Sequence, residues 1–181
     1  YKELEKKVDH SAGLRLNGLL SIAQNKGRWQ ELQRQATTAQ LYDVDVRILD
    51  KKQTTKEYPI INTDEIIGGI LMPGDGAADP SGVTHMLAKA AKMEGAQIFE
   101  KSPVEKILTK NGKIAGVRVN GQEIECEYIV LASGMWSRQI GEKAGVSVPL
   151  YPVEHFYIIT EPIKDLSKTM PVIRDYDNRT Y

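Results

Sequence analysis

The residues best placed to do chemistry begin with a turn of small side chains in the second half of the chain. An apolar run at residues 129–132 leads into Ala132-Ser133-Gly134, and Trp136 follows two positions later. Short continuous apolar runs are typical of strands buried on both faces of an α/β sheet. Small residues at the carboxyl end let a ligand approach the backbone, and open α/β sheets bind ligands there. The pattern predicts a strand at 129–132 with a nucleotide cofactor at its end.

Titratable and aromatic side chains gather near the end of the chain. His155 stands two residues before Tyr157. A neutral imidazole in a substrate cleft can orient an amine or accept its proton. The aromatic residues of this region are Tyr151, Phe156, Tyr157, Tyr176 and Tyr181. Aromatic faces attract methylated amines, so a cage around such a cation is one interpretation, although spacing alone favours ordinary packing.

A glycine-rich segment at residues 74–79 nearly matches the phosphate-binding pattern G-x-G-x-x-G. Gly74 and Gly76 fit, but Asp79 occupies the third glycine position. A carboxylate there would repel a pyrophosphate, and Pro73 stands where the strand should run into the turn. The segment is therefore predicted to be a tight turn into a capped helix, which leaves the 181 residues without the usual phosphate-binding fingerprint.

Metal and thiol chemistry are not indicated. His10, His85 and His155 are far apart in the sequence, and none has a second His or Cys at metal-ligand spacing. The one cysteine, Cys126, lies between two glutamates that disfavour a reactive thiolate. A single cysteine excludes a disulfide framework, and a reducing compartment is expected.

Composition excludes several other function classes. Lys and Arg together number 24, as do Asp and Glu, and this balance argues against a nucleic-acid partner. No apolar stretch is long enough to span a membrane, and the first residues contain no signal-peptide core. The chain lacks an initiator Met and ends abruptly, so we expect an excised fragment of a longer protein.

The elements that must position these groups can be read from hydrophobic periodicity. Leucine and alanine spacing predicts a helix over residues 13–42, and alternation predicts a strand over 44–49. A short helix is predicted at 54–58 and a strand at 66–72, which contains two glycines.

A strong helix start follows the glycine-rich turn. Asp79 can cap free backbone N–H groups and Pro80 suits the first helical position, so we predict a helix over 80–94 that Gly95 ends. A strand predicted at 97–101 completes a strand–helix–strand unit, which suggests a crossover to a parallel strand.

The next segment is typical of antiparallel structure. Three short alternating runs occupy residues 104–109, 114–119 and 123–128. Asn111-Gly112 and Asn120-Gly121 separate them, and Asn-Gly is the strongest short hairpin signal. We predict a three-stranded antiparallel meander, then a short helix at 134–145 and a strand at 157–160. The predicted fold class is α/β, with the meander adding an α+β character.

Several segments of the chain combine into a family signature. They are Gly69-Ile70-Leu71-Met72-Pro73-Gly74-Asp75-Gly76 with Asp79-Pro80, Leu87-Ala88 with Ala91, Val104-Glu105-Lys106-Ile107, residues 130–137, residues 148–162 and Pro171-Val172-Ile173-Arg174-Asp175. In combination they resemble the FAD-dependent amine and amino-acid oxidoreductases of the D-amino-acid oxidase superfamily. The branch they are most similar to is that of the dimethylglycine and sarcosine dehydrogenases. The likeness extends from about residue 13 to residue 181.

The resemblance implies a flavoprotein that oxidises the N-methyl group of a small methylated glycine to an iminium, with hydride passing to FAD. It implies that the backbone of Val104 contacts the adenine end of FAD. The Ala132-Ser133-Gly134 turn would lie by the ribose and pyrophosphate, with Trp136 just beyond it.

The resemblance also implies the catalytic residues. His155 matches a histidine that lines the substrate site, and Tyr181 matches a tyrosine that faces the same site, with Tyr157 as the alternative. The partners implied are a small N-methylated amino acid and an electron acceptor, either oxygen or a carrier protein. The expected location is the cytoplasm, or the mitochondrial matrix in a eukaryote.

The family pattern also implies a division of the chain. Residues 1–62 would be a helical segment of the substrate domain, 63–146 a partial FAD-binding domain with the meander, and 147–181 the start of a second, β-rich substrate-domain segment. The amino-terminal G-x-G-x-x-G unit, the residue that carries covalent FAD in several relatives and the folate-binding module are not in the chain. We therefore expect these residues alone to bind FAD weakly or not at all and to be inactive.

Alternatives remain open at this point. Within the superfamily they are a glycine or D-amino-acid oxidase and the catalytic subunit of a multimeric sarcosine oxidase. From another class, the chain could be a non-catalytic binding or interaction module.

Overall fold

The computed structural model describes residues 1–164 and 166–179. The chain divides into two compact units, one formed by residues 1–96 with the described part of 162–181, and the other by residues 97–161. No helix in the described part is long and apolar enough to cross a membrane. The mixed helix and sheet content confirms the predicted α/β class.

The first unit is built on a four-stranded mixed sheet. Its elements are α1 (Lys2–Val8), β1 (Leu19–Ala23), α2 (Lys26–Gln40), β2 (Arg47–Asp50), α3 (Lys51–Glu57), β3 (Gly68–Met72), α4 (Pro80–Met93) and β7 (Val172–Asp175). The strand order is β2-β3-β1-β7. Strand β1 is antiparallel to β3 and parallel to β7, and β3 is antiparallel to β2.

The core of this unit lies around the central strand β1, whose five residues are all buried. Leu20 belongs to a cluster with Leu49 and Leu71, whereas Ala23 belongs to a second cluster with Leu32 of α2 and Ile70. Because both faces are covered, the sequence of β1 shows no alternation. The helix predicted over residues 13–42 is therefore wrong before residue 26 and confirmed by α2 after it.

Helix α4 begins as the sequence predicts. The Asp79 side chain accepts hydrogen bonds from the backbone N–H groups of Ser81 and Gly82, and Pro80 occupies the first turn. Gly95, just after the helix, has a φ of 94°. The predicted short helix is confirmed as α3, and the strands predicted at 44–49 and 66–72 are confirmed as the shorter β2 and β3.

Helix α1 packs on α4 through a small cluster of Val8, Ala12 and Met86. This packing brings the rings of His10 and His85 to 6.2 Å between centroids, at 68° to each other. These two histidines, which are far apart in the sequence, are therefore neighbours in the fold. Among the described residues, no group of three or more His, Cys, Asp or Glu side chains is placed to hold a metal ion.

The second unit contains the predicted meander. Strands β4 (Val104–Lys110), β5 (Lys113–Val119) and β6 (Gln122–Glu125) form an antiparallel sheet in sequence order. All four residues of the two Asn-Gly turns have φ between 50° and 74°. Positive φ at both central residues is what tight hairpin turns require, which is why these dipeptides predicted the meander correctly.

A short helical segment follows the meander. It starts as a 3₁₀ turn (Gly134–Trp136) and continues as α5 (Ser137–Glu142), as predicted for residues 134–145. The last strand of the meander is shorter than predicted, so Cys126 lies just beyond it, half-buried, and donates its backbone N–H to Ala115.

Three predicted strands do not form. Residues 97–101, 129–132 and 157–160 have no strand hydrogen bonds, so the strand–helix–strand unit and the buried strand before the small-residue turn are both wrong. Val130 is 89% exposed. A strand in a sheet needs neighbours for its N–H and C=O groups, and the described residues offer these segments none. The sequence also gave no prediction for β7.

Candidate functional site

The small-residue turn forms a defined structure within the second unit. The Trp136 N–H donates to the carbonyl of Ser133 at 3.1 Å, which closes the 3₁₀ turn. The hydroxyls of Ser133 and Ser137 are 3.1 Å apart and hydrogen-bonded. Gly134 has a φ of 52°, and no atom lies within 4 Å of the position that a Cβ would take. A ligand can therefore approach the backbone at this glycine without displacing protein atoms.

Val104 is linked to the same helical segment through Lys143. The Lys143 ammonium donates to the carbonyl oxygen of Val104 at 3.0 Å. Val104 is the first residue of β4, and Lys143 directly follows α5, which continues the turn. Two segments predicted from separate motifs are thus joined by one side chain. No motif identified Lys143, although a lysine at a helix C-terminus is a recognisable favourable pairing with the helix dipole.

The side chains around the turn are largely exposed. The indole of Trp136 is 62% exposed, and Ala132 is also exposed, whereas Ser133 is half-buried. Tyr128 is 85% exposed immediately upstream of the apolar run. The turn is therefore open to a ligand, but the residues expected to form the supporting strand are irregular chain, with Val130 exposed and Ile129 and Leu131 half-buried.

The glycine-rich turn before α4 cannot serve as an anion site in this form. The Asp79 carboxylate accepts from Ser81 N–H at 3.2 Å and from Gly82 N–H at 3.0 Å. The Asp75 carboxylate accepts from Gly76 N–H at 2.7 Å. Two carboxylates occupy the donors that a phosphate would use. This geometry confirms the prediction of a turn into a capped helix.

The predicted catalytic residues lie on the extended segment after α5. His155 and Tyr157 are both exposed, and Tyr157 is 82% exposed. The structure therefore places these two on one segment but encloses neither in a pocket within the second unit. Tyr181, the third catalytic candidate, lies outside the described residues.

A polar network that the sequence did not indicate surrounds the turn after β7. Arg28 donates to the Asp177 carboxylate at 3.2 Å, and its guanidinium lies 4.9 Å from the centre of the Tyr176 ring. Arg174 approaches the same ring at 5.5 Å and donates to its hydroxyl at 3.0 Å. Because the participants are separated by about 150 positions in the sequence, no local pattern could reveal the network. It holds the end of β7 against the start of α2.

Two exposed ion pairs perturb the charged groups they join. The Lys7 ammonium hydrogen-bonds to the Glu94 carboxylate and lowers the pKa of Glu94 from its ordinary value. On the meander, the Glu123 carboxylate accepts from Arg118 and raises the pKa of that guanidinium. Neither pair includes a residue of the small-residue turn.

Comparison with known proteins identifies the family. A sequence profile described as FAD dependent oxidoreductase matches residues 1–181. The chain belongs to this family. The family depends on FAD, so the question for the exposed turn at Gly134 is whether its residues fit that cofactor.

Individual relatives agree with the assignment. Mitochondrial sarcosine dehydrogenase of Homo sapiens is 35% identical over 185 residues, which cover 99% of this chain and 20% of that protein. The mitochondrial pyruvate dehydrogenase phosphatase regulatory subunit of Mus musculus is 30% identical over 184 residues, covering 100% of this chain and 21% of that protein. The chain thus spans about a fifth of the length of these curated relatives.

The fold of this FAD-dependent oxidoreductase chain also matches a solved structure. The crystal structure of L-proline dehydrogenase from P. horikoshii has a TM-score of 0.84 and 25% identity to it, covering 97% of this chain and 46% of that chain. The agreement supports the mixed sheet and meander described above.

The described residues fit FAD at its nucleoside end. The open backbone at Gly134 and the exposed Trp136 ring offer room and an aromatic face, and Lys143 fixes the Val104 backbone close to the same helical segment. The glycine-rich turn does not fit the pyrophosphate, because Asp79 fills the N-terminus of α4. Among the described residues, the small-residue turn therefore has room for a ligand at its backbone, whereas the turn before α4 does not.

Proposed function

We propose that these residues belong to an FAD-dependent dehydrogenase or oxidase of an N-methylated glycine, either sarcosine or dimethylglycine. The observation that carries the proposal is the family match over residues 1–181. The identity with human sarcosine dehydrogenase supports the substrate class. When bound, FAD supplies the hydride acceptor for oxidation of the methylated amine to an iminium.

The second unit would hold the nucleoside end of FAD. The backbone of Val104 would meet the adenine, and the Ala132-Ser133-Gly134 turn would lie against the ribose and the start of the pyrophosphate. Trp136 would cover the cofactor from the side of the turn. The open space at Gly134 and the hydrogen bond from Lys143 to Val104 support these roles.

His155, Tyr181 and Tyr157 would act on the substrate. The imidazole of His155 would accept a hydrogen bond from the substrate amine and hold its proton as hydride leaves. Tyr181, or Tyr157 in its place, would present an aromatic face to the methylated nitrogen. Both His155 and Tyr157 are exposed and so accessible to a ligand, which supports these catalytic roles.

A histidine substitution tests the catalytic role. In the protein expressed from its complete reading frame, His155→Gln should keep FAD and lower kcat/KM for sarcosine by roughly 10²- to 10⁴-fold. His85→Gln, on the exposed side of α4, is the matched control and should leave turnover unchanged. A His155→Gln enzyme with full turnover and full FAD content would remove His155 from the mechanism.

Turnover with a panel of amines distinguishes the enzyme candidates. Preference for sarcosine or dimethylglycine over glycine and D-alanine supports the proposed substrate class. Preference for glycine or D-alanine would instead indicate a glycine or D-amino-acid oxidase. Activity that appears only with co-purified subunits would indicate a multimeric sarcosine oxidase.

The second candidate function is a non-catalytic binding or interaction module. The observation that favours it is the 30% identity with a regulatory subunit of mouse pyruvate dehydrogenase phosphatase. A protein of this kind would turn over none of the amines in the panel, and His155→Gln would change no measurable activity.

We also propose that these 181 residues alone hold FAD weakly and are inactive. The Asp79 cap and the unpaired segment at 129–132 support this, because neither provides a cradle for pyrophosphate. Gel filtration of the chain mixed with FAD should separate the flavin from the protein. A flavin spectrum that travels with the protein would overturn the proposal.

The remaining proposals concern organisation and location. The division into residues 1–62, 63–146 and 147–181 rests on the family pattern. The location proposed is the cytoplasm, or the mitochondrial matrix in a eukaryote, and the mitochondrial relatives support the second of these. Measuring oxygen consumption and the reduction of an artificial electron carrier during turnover would show which class of electron acceptor the enzyme uses.

A further inference from the structure

The four-stranded sheet of the first unit has an open edge at β2. The strand order is β2-β3-β1-β7, so β2 has β3 as its one strand neighbour among the described residues. The outer side of an edge strand presents N–H and C=O groups to any further strand, and proteins usually protect such an edge. Residues 44–46 lead into β2 and have no strand partner in the described part of the chain. We call residues 44–48 the edge segment.

One face of the edge segment is apolar. Ile48 lies opposite Ile70 in the sheet, and Val46 packs in the same buried cluster as Ile70. Because side chains alternate along a strand, Val44 falls on this face when the strand is continued back to it. Val44 is 43% exposed and Ile48 is 46% exposed. The apolar face therefore has uncovered side chains at both of its ends and a buried one at its centre.

The other face of the edge segment is charged. Asp45 and Arg47 are two positions apart, and their side chains form an ion pair at 3.4 Å. Both side chains are more than half exposed. A carboxylate has two acceptor oxygens and a guanidinium has five N–H donors, so each group can take a second partner while it keeps the first.

Antiparallel pairing of the edge segment with itself about Val46 matches both faces at once. In that register Val44 lies opposite Ile48 of a second copy, and Asp45 lies opposite Arg47 of the second copy. Each pair joins two residues of the same face, as an antiparallel ladder requires, and each occurs twice about the two-fold axis. The paired residues end before α3, which begins at Lys51.

We propose that the edge segment is an interface between two copies of this chain, joined antiparallel so that their sheets become one. Charge complementarity selects this partner and this register. The two neighbouring registers that keep the faces matched would set Arg47 against Arg47, or Asp45 against Asp45. Leu41 and Tyr42 directly precede the segment and are 78% and 77% exposed, which adds apolar surface beside it. The interface does not depend on the proposed flavin chemistry.

Sedimentation equilibrium of the protein expressed from its complete reading frame tests the proposal. The wild type should show a monomer–dimer equilibrium that weakens as NaCl is added, because exposed ion pairs are screened. Asp45→Arg places two arginines opposite each other at both ends of the interface, and Arg47→Asp does the same with two aspartates. Each variant should weaken the dimer by roughly tenfold or more. Lys113→Glu, a charge reversal at the exposed start of β5, is the matched control and should leave the dimer unchanged.

Mixing the two single variants separates loss of the interface from damage to the fold. In a mixed pair, the two arginines of the Asp45→Arg molecule face the two aspartates of the Arg47→Asp molecule. The mixture should therefore form a heterodimer about as tight as the wild-type dimer, although each variant alone is mainly monomeric. The exchange variant Asp45→Arg/Arg47→Asp should likewise recover the homodimer, because opposite charges face each other again.

Three results would overturn the proposal. The first is a wild type that stays monomeric at high micromolar concentration and low salt. The second is dimerisation of both single variants as tight as that of the wild type, which would place any dimer contact elsewhere. The third is a mixture of the single variants that stays monomeric. Amine oxidation is measured separately, so the failure of this inference and the failure of the proposed function are distinguishable.

Discussion

The two compact units differ in what covers their apolar side chains. Among the described residues, 15 apolar side chains are buried, and Ile107 is the only one of them in the unit at 97–161. The first unit has a central strand covered on both faces and a polar network at its last strand. The second unit leaves Val130, Phe156 and Ile158 between 84% and 89% exposed.

This difference coincides with the location of the candidate site. The described residues assigned to FAD and substrate all lie in the second unit, next to its exposed apolar segments. Large exposed apolar surfaces in a protein usually mark contact with a partner or a ligand. The first unit thus buries a core of its own, whereas the second unit leaves most of its large apolar side chains and the proposed site residues exposed.

The largest expected effect comes from truncating the core of the first unit. Leu20→Ala should lower the free energy of unfolding by about 2–5 kcal/mol, because Leu20 is fully buried in the central strand β1. Ile158→Ala removes a similar side chain that is 89% exposed, and should cost less than about 0.5 kcal/mol. Urea unfolding followed by far-ultraviolet circular dichroism measures the loss in both units. Similar losses for the two variants would contradict the comparison.

The second effect tests how firmly the meander is packed. A Cβ on Gly116 would lie 2.2 Å from the carbonyl oxygen of Ile124, so Gly116→Ala should cost about 1–3 kcal/mol through overpacking. Gly145 has a φ of 72° and open space, so Gly145→Ala carries only backbone strain of about 1 kcal/mol. Hydrogen exchange of the β5 and β6 amides measures how much stability each of the two variants loses. If Gly116→Ala leaves exchange unchanged, the close strand approach described here is wrong.

The third effect concerns helix starts in the two units. Helix α4 has a capping side chain, whereas α5 begins without a side-chain cap hydrogen bond. Asp79→Ala should destabilise the first unit by about 1 kcal/mol, and Asp79→Asn, which can still cap, should cost much less. Thermal unfolding, followed by the fluorescence of Trp29, compares the stability of the two Asp79 variants. Equal losses would show that the charge of Asp79 matters and its hydrogen bonds do not.

The smallest effect is the pH dependence of the exposed Lys7–Glu94 pair. Because Lys7 lowers the pKa of Glu94 in the folded state, the pair stabilises the protein above the unfolded-state pKa of Glu94. That contribution is lost as the pH falls through the lowered, folded-state pKa. The wild type should therefore be slightly more stable than Glu94→Gln at neutral pH, with the difference vanishing in acid and in high salt. A difference that grows in acid would reverse the sign of the linkage.

Local signals predicted the parts of the fold whose causes are local. The two Asn-Gly turns and the Asp79-Pro80 helix start were confirmed because turn and cap geometry depend on a few adjacent residues. The residue spacing wrongly predicts helix at strand β1, because a strand buried on both faces shows no apolar–polar alternation. Strand β7 and the Arg28–Asp177 pair depend on contacts about 150 residues apart, which no short pattern contains.

The candidate site was predictable to a smaller extent. The turn at Ala132-Ser133-Gly134 and its open glycine were identified from small residues after an apolar run. The supporting strand at 129–132 was wrong, because strand formation depends on hydrogen-bonding neighbours as well as on apolar content. The contact of Lys143 with Val104 was missed, as it joins two elements through one flexible side chain.

The proposed function, oxidation of N-methylated glycines, requires that these amines reduce the flavin. The most direct measurement is anaerobic mixing of the FAD-loaded protein, expressed from its complete reading frame, with sarcosine or dimethylglycine while the visible flavin absorbance is followed. Either methylated amine should bleach the oxidised flavin, and His155→Gln should slow the bleaching whereas His85→Gln should not. A flavin that stays fully oxidised with both amines would contradict the account.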